Sequence, residues 1–401
     1  MILVGGRGSR LGDLAKSAPK PLMQIDEKSV FLDHLLFNFG RQGFSEILLL
    51  AGHMSDQIAE RYDGRQICRA YVRVIKEAEP AGTAGAVLNA SDYLEDTFVL
   101  ANGDTLFDIN LRHLDKTLAA TPSAIGVMAL RRVDDAGRYG AVQCKDGIVE
   151  AFCEKDIASE GGGLINAGVG LFRKSLLSYI TKSPCSIEVD VYPQMVADQQ
   201  LLGCEFRGYF IDIGLPETLE QARADLPARE KRPALFLDRD GVINEDNGYT
   251  YRVDDLQFIE GAVEMIRQAN DLGAFVIVVS NQAGVAHGLY ELSDVEGFHQ
   301  AMSDALNEYG AFIDAFYYCP FHPRAKVKDY HHPDHPDRKP NPGMINRALQ
   351  DWPIIPEQSI LVGDNQSDIA AAQRAGIDGI LFKGADLGLL KDLVFSSFRD
   401  R

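Results

Sequence analysis

Apolar runs of strand length alternate with amphipathic stretches along the whole chain. In the first half, Ile47–Ala51, Thr97–Ala101 and Ala124–Leu130 read as buried or half-buried strands. Between them, Phe31–Gln42 and Met54–Arg61 space their apolar residues at the helical period. In the second half, Ala234–Leu237, Phe275–Ser280, Phe316–Cys319 and Ile360–Val362 are short apolar strands. The first, second and fourth of these run straight into Asp, Ser, Asn or Gly and then into a helical stretch. That alternation predicts α/β units with mainly parallel sheets and sites at the carboxyl ends of strands. Gln221–Pro233 is polar, carries two prolines and precedes a fresh strand, the pattern of a connection between units. The expected organisation is residues 1–225, a linker over 226–233, and residues 234–401. No repeat of 20–50 residues is visible.

Composition narrows the class. The chain has 401 residues, enough for two or three domains. With 46% hydrophobic and 24% charged residues it reads as globular, not disordered or fibrous. The longest apolar runs, Ile47–Gly52 and Ala274–Val279, are far short of the roughly 20 residues a membrane helix needs. Met1–Val4 leads directly into a Gly-rich loop, which leaves no room for a signal peptide. The six cysteines are scattered without a CxxC pair, as in reduced cytoplasmic proteins. The net charge of −18 divides into 24 basic and 32 acidic residues up to Glu230 (−8), and 16 and 26 beyond it (−10). Two acidic halves exclude a polynucleotide partner but not small anionic substrates, which local Lys, Arg, backbone N–H groups or metal ions can hold. The sequence leaves the oligomeric state open, a homo-oligomer included.

Candidate chemistry begins at the first turn. Gly5, Gly6, Arg7, Gly8, Ser9, Arg10 and Leu11 are followed by Pro19, Lys20, Pro21 and Leu22. Glycines let backbone N–H groups approach a phosphate closely, and Arg10 and Lys20 add two cations beside it. This pattern resembles the sugar-1-phosphate nucleotidyltransferase family, and the match continues through most of residues 2–222. The stretch Glu79–Gly85, with Gly82, Thr83 and Gly85, resembles the family's base-recognition segment. Asn102, Gly103 and Asp104 resemble its first metal element, and Asp212, Ile213 and Gly214 its second. Tyr139 and Gly140, Glu154 and Lys155, and Asn166 to Gly168 resemble the sugar-contacting segments. The resemblance implies a Rossmann-like domain with a mixed sheet, Mg²⁺ held by Asp104 and Asp212, and phosphate charge offset by Arg10, Lys20 and Lys155. Read without it, Asp104 is a turn residue, Asp212 a helix cap, and Glu188 and Asp190 a solvated face.

The second half carries four elements in order, each at a strand end. They are Asp238-Arg239-Asp240-Gly241, then Ser280-Asn281-Gln282, then Arg338-Lys339-Pro340, and finally Gly363-Asp364 with Asp368. They resemble the haloacid dehalogenase superfamily of phosphohydrolases across residues 234–385. The resemblance implies Asp238 as nucleophile and Asp240 as general acid and base. It implies Ser280 and Lys339 on the phosphoryl group, and Mg²⁺ on Asp238, Asp364 and the carbonyl of Asp240. Asp368 reads equally as an orienting group or a first-turn helix carboxylate. Only 42 positions separate Asp238 from Ser280, too few for a large cap domain. Cys319 and His322 are followed by His331, His332 and His335 without a second cysteine pair, so the zinc loop common among relatives is broken and zinc is disfavoured.

Within these families, Asn244–Phe258 and the segments around Ser280 and Cys319 are most similar to phosphatases that remove the 7-phosphate of heptose 1,7-bisphosphate. Histidinol-phosphate phosphatases are the closest competitor. The pair of resemblances implies consecutive steps, 7-dephosphorylation and then guanylyl transfer to heptose 1-phosphate. Another nucleotide (UTP, CTP or dTTP), another sugar, or one half serving as a sugar-phosphate-binding regulatory module stays open.

Overall fold

The computed structural model describes residues 1–6, 17–134, 136, 141–153, 162–396 and 398. It divides into two compact units, Met1–Ala228 and Arg229–Arg401. Among the described residues no helix is long and apolar enough to cross a membrane.

In the first unit the strands in chain order are β1 Ile2–Leu3, β2 Glu46–Ala51, β3 Gln66–Ile67, β4 Ala70–Lys76, β5 Thr97–Asn102 and β6 Thr105–Asp108. They continue as β7 Gly126–Val133, β8 Ala141–Lys145, β9 Ile148–Cys153, β10 Gly163–Arg173, β11 Leu201–Phe206 and β12 Tyr209–Asp212. The main sheet runs β3-β4-β2-β1-β5-β10-β7-β11-β9-β8, with β6 and β12 forming a separate antiparallel ribbon. β4, β2, β1 and β5 are mutually parallel, while β10 is antiparallel to both β5 and β7. The sheet is therefore mixed, as expected. Its centre is buried on both faces: Ile47, Leu49 and Ala51 of β2 enter one core, and Leu48 and Leu50 enter the other. That burial explains the continuous apolar run where a solvated sheet would alternate.

In the second unit β13 Ala234–Leu237, β14 Phe275–Asn281, β15 Ala315–Cys319, β16 Ile360–Gly363 and β17 Asp378–Leu381 form a wholly parallel sheet. Its order is β15-β14-β13-β16-β17. The first strand lies between its neighbours, so the chain crosses over in opposite directions on either side of β13. That arrangement opens a crevice at its carboxyl end.

The expected linker needs correction. Residues 221–229 belong to the helix Pro216–Arg229, which includes Pro227, because Leu219, Ala222 and Leu226 are buried along one face. Arg232 is already part of the second unit: its N–H donates to the Pro353 carbonyl at 3.0 Å, and its own carbonyl accepts from Ile355 N–H at 2.8 Å. The polar composition reflects a helix that buries only Leu219, Ala222 and Leu226.

One turn in the first unit tolerates only glycine. Gly82 has φ +76°, and a Cβ there would stand 2.4 Å from the Cys185 carbonyl oxygen. The Gly82→Ala variant should lose about 1–3 kcal/mol of stability from the left-handed backbone and the clash, read as a lower urea midpoint for the first unit's transition.

Candidate functional site

In the first unit the site lies where the sheet order reverses, at the carboxyl ends of β1 and β5. A cavity of about 390 Å³ there is lined by Gly5, Gly6, Lys20, Glu77, Gly82, Thr83, Asn102, Asp104 and Glu188, among others. Lys20 follows Pro19 in a single 3-10 turn, which aims its ammonium at Asp104 Oδ2 at 2.5 Å. The ribbon of β6 and β12 puts Asp212 opposite Thr105. The Thr105 hydroxyl lies 3.1 Å from Asp212 Oδ2 and 3.3 Å from Asp104 Oδ1. Burial, then the neighbouring Asp104 charge, push the Asp212 carboxyl above its usual range, and Lys20 partly offsets both. Two crowded carboxylates sharing one lysine suit an oxygen-preferring divalent cation.

Other predicted residues have structural duties. Thr83 Oγ1 accepts from Ile187 N–H at 2.8 Å, and Ala84 N–H donates to the Cys185 carbonyl at 2.9 Å. The segment around Gly82 and Gly85 thus anchors residues 183–190, which brings Glu188 to the cavity rim. Asn166 Oδ1 accepts from Gly168 N–H at 3.0 Å, and Gly168 packs against the Asn102 side chain. Gly8, Ser9, Arg10, Tyr139, Gly140, Glu154 and Lys155 lie outside the described residues.

In the second unit the predicted residues converge on the end of β13. Lys339 is buried, with Nζ 2.9 Å from Asp238 Oδ1, 2.7 Å from Asp368 Oδ1 and 2.8 Å from the Val279 carbonyl. Ligand oxygens of Asp238, Asp364 and Asp368 all lie within 4.8 Å of one another. Asp368 touches both the helix start and the cluster: Oδ2 accepts from Asn365 N–H at the start of the helix Gln366–Ala375, while Oδ1 faces Lys339. Gly241 (φ +79°) sits against Asp364, where a Cβ would approach its Oδ2 to 2.6 Å. Burial pushes the Asp238 carboxyl up to about 7, against the pull of Lys339. Burial and the Asp368 charge also raise Asp364. Three carboxylates around one ammonium retain the negative charge a divalent cation needs, so the donor set fits Mg²⁺.

Asp240 lies apart from that cluster. Its carboxylate takes a two-pronged contact from Arg239 (3.0 and 2.9 Å), one from Asn244 Nδ2 (3.0 Å) and one from Gln282 Nε2 (3.2 Å). Gln282 also donates to the Ser280 hydroxyl at 2.8 Å and accepts from Tyr290 OH at 2.8 Å. Arg239 is fully buried, its guanidinium 4.6 Å from the Phe298 ring centre. Arg239, Asn244 and Gln282 were not singled out from the sequence, although Arg239 and Gln282 stand inside the motifs that were. In the His-rich loop, Cys319 Sγ lies 3.8 Å from His335 Nδ1, and His335 stacks on Phe321. His322, His332 and His335 each accept, through Nδ1, the backbone N–H two residues ahead.

The two units make a bifunctional enzyme, a nucleotidyltransferase joined to a phosphatase. A nucleotidyl transferase family model matches residues 1–229 and a HAD-hydrolase-like model matches residues 337–385. The D-glycero-beta-D-manno-heptose-1,7-bisphosphate 7-phosphatase of Rhodopseudomonas palustris is 42% identical over 158 residues, 39% of this chain and 87% of that protein. The D-glycero-alpha-D-manno-heptose-1,7-bisphosphate 7-phosphatase of Burkholderia mallei is 43% identical over 147 residues, 37% of this chain and 77% of its own length. The D-glycero-alpha-D-manno-heptose 1-phosphate guanylyltransferase of Aneurinibacillus thermoaerophilus is 33% identical over 228 residues, 56% of this chain and 97% of that protein. The chain belongs to the nucleotidyl transferase family through its first unit and to the heptose-bisphosphate phosphatase family through its second.

The raised Asp238 carboxyl has a stability consequence. A carboxyl whose folded pKa exceeds its unfolded value stabilises the fold fully below the unfolded value, near 4, and that stabilisation is lost as pH rises through about 7. In metal-free buffer at pH 8, Asp238→Asn should therefore be more stable than the parent by at least about 1 kcal/mol. The difference should shrink toward pH 4, measured by thermal unfolding across that range.

Proposed function

We propose that the chain removes the 7-phosphate of D-glycero-D-manno-heptose 1,7-bisphosphate and then transfers GMP from GTP to the resulting heptose 1-phosphate. The products are phosphate, GDP-heptose and pyrophosphate, made in the cytoplasm. The carrying observation is that one chain holds relatives of both enzymes, each with its carboxylate set intact. Hydrolysis at C7 leaves the C1–O bond untouched, so the anomer that enters the phosphatase is the anomer offered to the transferase. The α-specific name of the transferase relative thus favours the α-bisphosphate here.

In the phosphatase, an Asp238 oxygen attacks the C7 phosphorus and the C7 oxygen departs with a proton from Asp240. Water, losing a proton to Asp240, then splits the aspartyl phosphate and frees phosphate. Lys339 and Ser280 steady the phosphoryl oxygens, and the Arg239, Asn244 and Gln282 contacts fix Asp240. In the transferase, a C1-phosphate oxygen attacks the α-phosphorus of GTP and pyrophosphate leaves. No covalent enzyme intermediate is needed, so positioning and charge neutralisation by Lys20 and Arg10 carry the step. Bound Mg²⁺, held by Asp104 and Asp212 in one unit and by Asp238, Asp364 and the Asp240 carbonyl in the other, supplies further charge neutralisation.

Separate phosphate and pyrophosphate assays test the division of labour. Asp238→Asn should abolish phosphate release and leave pyrophosphate release from heptose 1-phosphate and GTP within about twofold, and Asp104→Asn should do the reverse. A folded variant in which either change silences both activities overturns it. Regiochemistry gives a second check. A loop-formed site without a large cap admits the protruding C7 phosphomethyl group end-on, whereas the C1 phosphate lies against the ring. A preference of at least about tenfold for C7 needs only about 1.4 kcal/mol of differential transition-state binding. In ³¹P NMR of the digest, the C7 signal should vanish first.

A further inference from the structure

Between Cys319, where β15 ends, and the buried Lys339 the chain makes a long excursion. Both of its ends are tied to the end of β14. Gln282 N–H donates to the Cys319 carbonyl at 2.9 Å, while the Asn281 side chain accepts from Lys339 N–H and donates to the Lys339 carbonyl, each at 3.1 Å. Rings gather where the outgoing and returning segments meet. Phe321 lies flat on His335, ring centres 4.1 Å apart and planes 4° from parallel. Tyr330 and His332 stand edge-on to Phe321, with centres at 5.9 and 6.4 Å. Arg338 tightens the return: its Nη1 donates to the Phe321 carbonyl at 3.2 Å and its backbone N–H to the His335 carbonyl at 3.0 Å.

A loop in this place implies zinc, and the donors present do not fit it. A structural zinc ion takes four ligands from thiolate, imidazole and carboxylate groups. Cys319 Sγ and His335 Nδ1 approach to 3.8 Å. Among the described residues, however, neither belongs to a group of three His, Cys, Asp or Glu donor atoms within 4.8 Å of one another. His335 Nδ1 already accepts from Asp337 N–H at 3.1 Å, and the Nδ1 atoms of His322 and His332 accept from the Arg324 and Asp334 N–H groups. The Asp337 carboxylate pairs with Arg347 at 3.1 Å. Phe321, which offers no donor atom in its side chain, covers the His335 ring.

We infer that the Phe321–His335 stack is a metal-free clasp, closing the excursion where a zinc cross-link would otherwise do so and positioning Lys339 against Asp238. Stacked rings supply a directional contact that needs no ion. Neither ring touches the nucleophile, so both are positioning residues, and their route to it is short. Phe321 holds His335 through its ring and Arg338 through its carbonyl, and the next residue is Lys339, with Nζ 2.9 Å from Asp238 Oδ1. Asn281 fixes Lys339 from the sheet side, and the clasp fixes it from the loop side. A small displacement of Asp238 and Lys339 lowers the rate of attack more than it weakens binding, so the effect falls on kcat. The inference rests on the phosphatase chemistry proposed above.

The test measures phosphate release by the full chain, in Mg²⁺ buffer, from heptose 1,7-bisphosphate and from p-nitrophenyl phosphate. The parent is assayed before and after dialysis against a zinc-selective chelator, with metal analysis of the same samples. It should hold well under one zinc per chain and keep its rate within about twofold. Stoichiometric zinc whose removal lowers the rate overturns the clasp. Phe321→Leu and His335→Leu, which remove one ring each, should lower kcat at least about tenfold with KM within about twofold. The double variant should be no worse than the poorer single, because one stack is broken once. Phe321→Tyr, which keeps the ring, should stay within about twofold of the parent. Folded Leu variants with unchanged kcat, or losses that add in the double variant, overturn the positioning role. If the Leu variants do not fold, the ring-keeping pair Phe321→Tyr and His335→Phe decides: both must fold and keep kcat within about threefold, and a larger loss in either overturns the role. A parent active on p-nitrophenyl phosphate alone overturns the heptose reading, while the same comparisons on that substrate still decide the clasp. A parent active on neither overturns the phosphatase chemistry and the clasp together.

Discussion

Both sites depend on keeping clustered carboxylates ionised inside an acidic chain with one internal lysine each. Asp104 pairs with Lys20, whose charge also acts on Asp212, while Asp238 and Asp368 share Lys339. Burial raises Asp212, Asp238 and Asp364, so water does not supply the missing stabilisation. Removing the lysine from a buried cluster of this kind leaves uncompensated charge that typically costs about 3–5 kcal/mol. The lysines are accordingly as much a condition of the fold near the sites as of the chemistry in them. The residual negative charge is what makes each cluster receptive to a divalent cation.

The sheets explain how such clusters arise from residues far apart in sequence. In a parallel sheet every strand delivers its carboxyl end to the same edge. Asp238 after β13, Ser280 at the end of β14 and Asp364 after β16 therefore meet without any local relationship. The crossover on either side of β13 opens the crevice they line. In the first unit β1 and β5 do the same for Gly5 and Asp104, but the second carboxylate comes from outside the main sheet. Asp212 arrives on the β6–β12 ribbon, whose antiparallel register puts it beside Thr105.

The sequence was most legible where burial on both faces removes ambiguity. β13 was read at its observed bounds, and β2, β5, β14, β15 and β16 within a residue or two, because each is a short uninterrupted apolar run. In the antiparallel half of the first sheet, Ala124–Leu130 was read and overlaps β7 Gly126–Val133, whereas the hairpin of β8 and β9, the long strand β10, and the separate ribbon of β6 and β12 gave weaker patterns and were not read. Gln221–Arg229 was misread because proline and charge count against a helix in a window too short to show the Leu219, Ala222 and Leu226 stripe. In the sites, motif residues were found while their partners were not. Arg239, Asn244 and Gln282 hold Asp240 through geometry that spacing does not encode. Thr83, read as a nucleotide contact, lines the cavity, and its hydroxyl oxygen also accepts from Ile187 N–H, a second duty the sequence did not signal.

The two lysines also differ in a way that follows from the two chemistries proposed. Lys339 is 2% exposed and bound to two carboxylates and a carbonyl, so its ammonium is held in place beside Asp238. That rigidity suits a reaction in which Asp238 itself forms the covalent bond, because a displaced nucleophile costs rate steeply. Lys20 is 14% exposed and faces open cavity with one carboxylate, itself 30% exposed. In the proposed transfer an entering triphosphate would compete with Asp104 for that ammonium, and Asp104, relieved of it, would be free to take a cation. A transfer between two bound substrates needs that exchange, since the enzyme supplies no bond of its own and must re-partition its charges each time a phosphate enters or pyrophosphate leaves.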